Sequence, residues 1–518
     1  MTADRATTDW FLTASERGNP DTILDKRHAD NSSWTGGNLV RPLVHGGTYF
    51  RELLLAVTKL KRGDLLLFTD WRGDADEHLD GPETEVGTVF AAAAARGVEV
   101  RGLLWRSHAA LQLGTMKNRG LGKQIEEAGG SVLLDMRVPK FGSHHQKLVV
   151  IRYRDHPQDD VAFIGGIDLC HGRRDDAEHR GDPQPVPMAA VYGDNPPWHD
   201  VQVAIHGPAV GDAEAVFRER WNDPTPLQRH PLHLVSSWLN RETKTAEPLP
   251  PQTPDPTRAG DTAVQLLRTY PIRHPGYPFA RRGERSIARG YIQVLARARS
   301  LVYVEDQYLW SREVAAVYAD ALRQQPELLM VFVIPGFPEQ DGRLSMPPNE
   351  VGRARALSEL RRAGGDRFAV YYLENDSGTP VYVHAKACIV DDQWACIGSD
   401  NTNRRSWTHD TELSAAFVDE SDAGSVRSLR VTLAQEHLGS ASVDLSDPAS
   451  FFEAFSRSAR NLDDWHAGGR VGPRPPGQLR RFLDATVPRR TRAWASPIYR
   501  VIYDPDGRPF RLRRSRRF

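Results

Sequence analysis

His145-Gln146-Lys147-Leu148-Val149-Val150-Ile151 and, 239 residues later, His384-Ala385-Lys386-Ala387-Cys388-Ile389-Val390 are one short passage written twice. In each, an HxK triplet opens an apolar run of strand-forming residues. A second short run ending in a glycine turn follows, Phe163-Ile164-Gly165-Gly166 in one copy and Cys396-Ile397-Gly398-Ser399 in the other. Residues i and i+2 of a strand share a face, so each His projects with its Lys. A neutral imidazole attacks or donates a proton near pH 7, and an ammonium beside it neutralises a phosphate oxygen. Two such pairs supply what exchange at one phosphodiester needs: a nucleophile, an acid and two cations.

The sequence around the triplets repeats as well. The first half reads strand Leu65 to Phe68, alanine-rich helix Val86 to Arg96, strand Val98 to Trp105, a helix ending at Ala128-Gly129-Gly130, and strand Val132 to Leu134. The second reads strand Leu301 to Val304, helix Glu313 to Gln324, strand Leu328 to Ile334, helix Glu350 to Arg362 ending at Ala363-Gly364-Gly365, and strand Phe368 to Tyr372. The shared Ala-Gly-Gly is a left-handed helix cap. Strands alternating with helices of these lengths predict an α/β fold built by duplication. Domain boundaries follow: 1–235 around the first HxK, a Pro-rich linker or surface loop at 236–262, 263–473 around the second, and a basic tail at 474–518.

A chain of 518 residues with 40% hydrophobic and 26% charged residues has room for several domains and an ample core. Net charge is zero, but unevenly spread: from Arg474 onward 13 Arg stand against three Asp. Five Arg among Arg511 to Phe518 read as a solvated tail. Three cysteines, Cys170, Cys388 and Cys396, are too few for a disulfide framework and read as reduced, buried thiols. Met1 to Arg5 lead into polar sequence with no apolar signal region, and no apolar run is long enough to span a bilayer. The expected location is the cytoplasm, with peripheral membrane contact. No HExxH or CxxC spacing occurs, so neither a metal nor a cofactor is expected.

These motifs resemble the phospholipase D superfamily, whose signature, HxKxxxxD with a following glycine turn, occurs twice. The second copy matches through His384, Lys386, Asp391, Gly398-Ser399, Asn401 and Glu412. The first matches through His145, Lys147, Gly165-Gly166-Ile167-Asp168-Leu169-Cys170 and Pro197-Trp198-His199-Asp200. Those strings, with Tyr303 to Tyr308, are closest to the eukaryotic-type enzymes, without their accessory lipid- and calcium-binding domains. One position departs: the first motif's Asp falls at Arg152, with Asp155 or Asp159 expected to compensate if that residue is a brace.

The resemblance implies two tandem α/β/α domains related by a pseudo-twofold, with the active site at their interface. It implies His145 as nucleophile and His384 as acid/base, their pKa values set apart by carboxylates that cross over, Glu412 to His145 and Asp200 to His384. Lys147, Lys386 and Asn401 would hold phosphate oxygens, with Asp168 at the place equivalent to Asn401. Gly166 and Ser399 would allow close approach in the turns, and Asp391 would be structural. His144, His199 and His409 read as hydrogen-bonded structural histidines. The substrate implied is a glycerophospholipid, cleaved to phosphatidic acid through a phosphohistidine or transferred to another alcohol. Alternatives are a phosphatidyl transferase of the cardiolipin synthase kind, a nucleic-acid phosphodiesterase, and a non-catalytic lipid-binding scaffold. Two motifs in one chain suit a monomer, and the Arg-rich tail suits contact with an anionic membrane.

Overall fold

The computed structural model describes residues 9–28, 30–107, 112–229, 231–243, 245–342, 346–421, 424–439, 444–483, 487–515 and 518. The readings made on Met1 to Arg5, and on the tail at 484–486 and 516–517, lie outside the described residues.

Seven strands recur in one order in both halves. Across the first sheet they are Thr35–Val44, Val201–His206, Val161–Gly165, Leu148–Arg152, Leu65–Asp70, Glu99–Trp105 and Ser131–Asp135. Across the second they are Thr262–Tyr270, Glu412–Asp419, Trp394–Gly398, Lys386–Val390, Leu301–Asp306, Leu329–Val333 and Phe368–Glu374. In each sheet the last three run parallel and every other neighbouring pair is antiparallel. The parallel steps are crossed by helices such as Val86–Ala95 and Arg312–Gln324, as parallel connections require. Thr35–Val44 ties the sheets together. Its Leu39 to Val44 pair within the first, while Thr35 and Asn38 pair with Val264 and Thr262 of the second.

Strict alternation explains how the sheets stack. Leu65, Leu67, Leu148 and Val150 enter one core with Leu301, Tyr303, Ala387 and Ile389 of the other half. Their neighbours Leu66, Phe68, Val149 and Ile151 face an outer core beneath the first half's helices. Val302, Val304, Cys388 and Val390 do the same in the second half. The two sheets therefore share a single central core, with outer helices on either side. Glycine sits at positive φ after both second helices, as Gly129 and Gly365, one position apart within the repeated Ala-Gly-Gly. The three cysteines are buried and unpaired with one another.

Two segments differ from the sequence expectation. Helix Pro231–Leu239 runs across the expected boundary at 235, and the Pro-rich stretch after it is strapped to the first half. There Trp221 Nε1 donates to Glu247 O at 2.7 Å and Gln252 to Gly211 O at 2.7 Å. The basic tail at 474–518 is packed in places ahead of Arg511, whereas Arg511, Arg513 and Arg514, in the stretch read as solvated, are exposed. Leu479–Arg481 adds a strand beside Phe368–Glu374, and the buried Asp504 carboxylate accepts from the amides of Arg404 and Arg405. Arginines of the packed part meet carboxylates: Arg480 pairs with Asp463 at 2.7 Å and with Glu374 at 2.5 Å, and Arg508 with Asp506 at 2.8 Å.

Arg152 is buried away from the catalytic motifs and binds Asp160 and Glu214 at 2.6 Å each. It also donates to Thr253 Oγ1 and Pro254 O of the strap, both at 2.6 Å. Asp155 and Asp159, the expected compensators, are exposed. The second-half counterpart, Asp391, accepts from the amides of Arg299, Ser300 and Leu301 at 2.7 to 2.9 Å, fixing the turn into its strand. Arg152→Asp, which restores the motif residue, would set a third carboxylate beside two buried ones. Breaking such a buried pair costs about 3–5 kcal/mol. Denaturant unfolding should show a loss of that order, and an R152D chain as stable as its parent would sink this account.

Candidate active site

The two HxK segments are held by the opposite half. Residue 145 donates its amide to Thr411 O at 2.9 Å, and Thr411 returns its own to Ser143 O at 3.0 Å. Across the pseudo-twofold, Tyr382 donates to Pro197 O at 2.9 Å, and the amides of His384 and Ala385 both reach His199 O, at 2.7 and 3.2 Å. Each triplet is thereby set beside the carboxylate at the start of the other half's strand. His145 Nδ1 lies 2.8 Å from Glu412 Oε2, and His384 Nδ1 lies 2.7 Å from Asp200 Oδ2. With Nδ1 taken on both rings, Nε2 is the nitrogen left to meet a substrate.

Both imidazoles line one cavity of about 410 Å³, together with Asp168, Asn401 and Glu412. Lys147 and Lys386 lie one layer deeper, each almost fully buried. Lys147 Nζ pairs with Asp168 Oδ1 at 3.2 Å and donates to His145 O at 3.1 Å. Lys386 Nζ reaches the neutral Gln307 Oε1 at 3.2 Å and the carbonyl of His384. Asn401 Oδ1 is buried without a hydrogen-bond partner beside the cavity, and the amide's N–H₂ is the end that can donate to a phosphate oxygen. Ser399 Oγ donates to Glu412 Oε2 at 2.6 Å and so braces the carboxylate rather than opening the turn. Gly166 is required by space: a Cβ there would fall 2.2 Å from Asp200 Oδ1 and push it off His384. Asp391 lies outside the site, in the turn already described.

His144 is an internal strut, its ring nitrogens 2.7 Å from Thr69 Oγ1 and Thr411 Oγ1. His409 Nε2 lies 3.2 Å from Lys140 O. His199 is buried against Glu305 at 2.6 Å. Sequence reasoning passed over the walls. The Arg173 guanidinium stacks 3.8 Å over the Trp198 ring, which itself packs 4.8 Å from His384. Trp71 and Trp105 stack at 5.6 Å on the His145 side, and Tyr308 stacks on Trp310 at 3.8 Å. Arg173 lies three residues beyond the end of the GGIDLC string, which is the one local signal that could have flagged it.

The electrostatics are those of an anion site waiting for charge. Burial pushes both His145 and His384 well below the ordinary imidazole range. Lys147 and Lys386 add to this at His145, and Lys386 and Arg173 at His384. The carboxylates do not by themselves set the two rings apart, because burial and the neighbouring cations lower both. Burial, with Asp410 nearby, raises Glu412 to about 8. Asp168 is held ionised by Lys147 while its neighbour Asp70 is pushed up by burial and by Asp168 itself, so the pair keeps one proton between them.

Burial, opposed by Asp200 and reinforced by Lys147, lowers Lys386 to about 8. Its charge is complete below that value and is lost as pH rises through it. Sulfate, whose own charge is constant over this range, should therefore bind progressively more weakly as pH is raised through about 8, where Lys386 loses its charge and Glu412 gains one, with up to two protons linked to binding. Calorimetric titration across this range checks it, and an affinity that stays flat up into the ordinary lysine range rules it out.

A family model described as Phospholipase D matches residues 75–316 and 369–466. Phospholipase D alpha 2 of Oryza sativa subsp. japonica is 24% identical over 85% of this chain and 70% of its own length. Phospholipase D delta of Arabidopsis thaliana is 25% identical over 64% of this chain and 52% of its own. Among solved structures, the phosphatidylserine synthase of Haemophilus influenzae Rd KW20 overlays with a TM-score of 0.52 at 12% identity, covering 90% of this chain and 99% of that one. That overlay carries the fold, and the matched model carries the family. The chain belongs to the phospholipase D superfamily of phosphodiesterases.

Proposed function

We propose that this protein cleaves glycerophospholipids as a phospholipase D, through a phosphohistidine. The observation that carries the reading is that both HxK imidazoles line one cavity, each backed by a carboxylate from the opposite half. His145 is the nucleophile: its side chain is 15% exposed against 6% for His384, so its Nε2 is the more open to phosphorus. The substrate phosphodiester brings a negative charge to rings depressed by cations, and this raises their proton affinity. His384, backed by Asp200, takes up the proton. His145 Nε2 then attacks phosphorus, the bond to the headgroup oxygen breaks, and His384 protonates the departing alcohol. In the second step His384 takes a proton from water, or from an acceptor alcohol, whose oxygen displaces His145 and releases phosphatidic acid or a phosphatidyl alcohol. Lys147, Lys386 and Asn401 stabilise the non-bridging oxygens in the pentacoordinate transition state.

A lipid substrate suits the rim. Phe337 lines the cavity and is exposed, and Arg405, also lining it, donates to the carbonyls of Phe141 and Ile502, two more exposed apolar residues. Val501 and Ile502, exposed within the Arg-rich C-terminal segment, are the side chains that would enter a bilayer while the arginines meet anionic headgroups. No helix among the described residues is long and apolar enough to cross a membrane.

Incubation with phosphatidylcholine and a primary alcohol should yield phosphatidic acid and the phosphatidyl alcohol. His145→Ala and His384→Ala should each lower kcat/KM by roughly 10²–10⁴-fold. With a nitrophenyl leaving group, H384A should accumulate an adduct visible by intact mass and H145A none. An adduct on His384 in the H145A protein would reverse the assignment, and cleavage of nucleic acid without lipid turnover would replace the substrate class. For docking, V501S/I502S should keep full activity on a soluble short-chain lipid. On anionic vesicles it should lose about ten-fold, since each side chain's insertion gives about 1.5 kcal/mol or less. Equal losses on both substrates would rule out the docking role.

A further inference from the structure

Behind Asp200, away from the cavity, three buried histidines converge on one carboxylate. His45 Nε2 lies 2.9 Å from Glu436 Oε2, His179 Nε2 lies 3.2 Å from Glu436 Oε1, and His199 Nδ1 lies 3.4 Å from the same oxygen. All the facing atoms fall within 4.8 Å of one another. We propose that His45, His179, His199 and Glu436 form a structural zinc site that fastens helix Ser425–Leu438 of the second half to the first half.

Counting hydrogens decides against protons alone. The outward nitrogen of each ring already faces an acceptor: His45 Nδ1 faces Asp200 O at 3.3 Å, His179 Nδ1 faces Trp198 O at 3.1 Å, and His199 Nε2 faces Glu305 Oε2 at 2.6 Å. A neutral imidazole carries one N–H, so oxygen at both nitrogens demands the doubly protonated ring. For His45 and His179 this would set two buried imidazolium rings with centroids 4.9 Å apart, packed against the His199 ring. A divalent ion removes the conflict. Each ring keeps its outward N–H and turns a lone pair inward, and Glu436 and Glu305 balance the charge. Outward imidazole N–H groups donating to carbonyl or carboxylate are the usual outer support of zinc-bound histidine.

Two further observations point inward. His199 Nδ1 is fully buried yet makes no hydrogen bond despite its closeness to Glu436, so its lone pair is not aimed at that oxygen. Ligands about 2.0–2.1 Å from a tetrahedral zinc stand about 3.4 Å apart; the contacts to the two Glu436 oxygens span 2.9 to 3.4 Å, and the facing atoms, within 4.8 Å of one another, would draw in on binding. Three imidazoles and a carboxylate suit zinc and not calcium or magnesium, which take oxygen ligands. Glu305 is a positioning residue, bridging His199 to His437 at 2.8 Å and accepting from Tyr303 OH at 2.5 Å. The site reaches the cavity through the backbone, since His199 O receives the amides of His384 and Ala385.

The full chain, prepared without a polyhistidine tag, should contain about one zinc by elemental analysis, as a four-ligand site requires. His179→Gln and Glu436→Gln should lose it, and Glu305→Gln should weaken zinc affinity about 10–100-fold. Chelator treatment should lower the Tm, and zinc should restore it where magnesium does not. If the variants fail to fold, cobalt substitution of the wild-type chain decides, through the intense visible bands of a tetrahedral site. Wild-type protein with no more zinc than H179Q, no Tm response to added zinc, or absence of those bands overturns the proposal.

Discussion

The interaction on which the rest depends is the exchange of backbone hydrogen bonds between each HxK segment and the opposite half. Thr411 grips residues 143 and 145, and His199 grips residues 384 and 385. Because the gripping residue in each case directly precedes a carboxylate, the same bonds that dock the halves deliver Glu412 to His145 and Asp200 to His384. Neither half owns a complete catalytic pair. The central core, drawn from inner faces of both sheets, must form before either imidazole has its partner. Stability of the interface and integrity of the site are therefore one quantity, which is why a single β-carbon at Gly166 would act on chemistry through Asp200.

Burial without full neutralisation supplies the driving charge. Taking cations out of water is expensive unless they are paired. Lys147 is paired with Asp168, whereas Lys386 has the neutral Gln307 and the more distant charges of Asp200 and Asp306. The cost appears as a depressed Lys386 and as two imidazoles that resist protonation. An anionic substrate removes that cost when it binds, so substrate binding and proton uptake are coupled. The sequence argument assigned the separation of the two rings to their carboxylates alone. The substrate's own charge has to enter, because a phosphodiester anion would offset part of the positive field both rings feel.

What could be read in the sequence was whatever is written locally. The HxK triplets, the alternation of Leu148 to Ile151 and Ala387 to Val390, and the glycine turns are short-range patterns, and they fixed the α/β class and the duplicated order of strands. The crossing carboxylates came from resemblance and not from spacing, since nothing within either half ties residue 412 to residue 145. Contacts assembled from distant residues left no pattern. Arg152 looked like a damaged motif because its partners, Asp160 and Glu214, come from a turn and a helix beyond it. The histidines around Glu436 come from residues 45, 179 and 199, in no spacing a motif would flag. The packing ahead of Arg511 was missed because composition cannot say that Asp463, Glu374 and Asp506 await Arg480 and Arg508.

Duplication gives equal halves, and the differences that remain argue for a division of labour. At matching strand ends the first half carries the Asp70–Asp168 pair, and the second carries Asp306 with Asn401. The first half thus cancels the charge of Lys147, while the second leaves Lys386 beside a neutral amide. A phosphate facing this cavity is drawn toward the second half, where Lys386 and Asn401 meet its oxygens. His145 stands opposite, beside a lysine paired with Asp168, whereas His384 stands beside Lys386 and its neutral amide partner. A nucleophile on the neutral side, with the anion held on the positive side, puts attack and departure on opposite faces of phosphorus. On the proposed roles, Asp168 in place of Asn is the difference between the halves that would set the nucleophile apart from the acid.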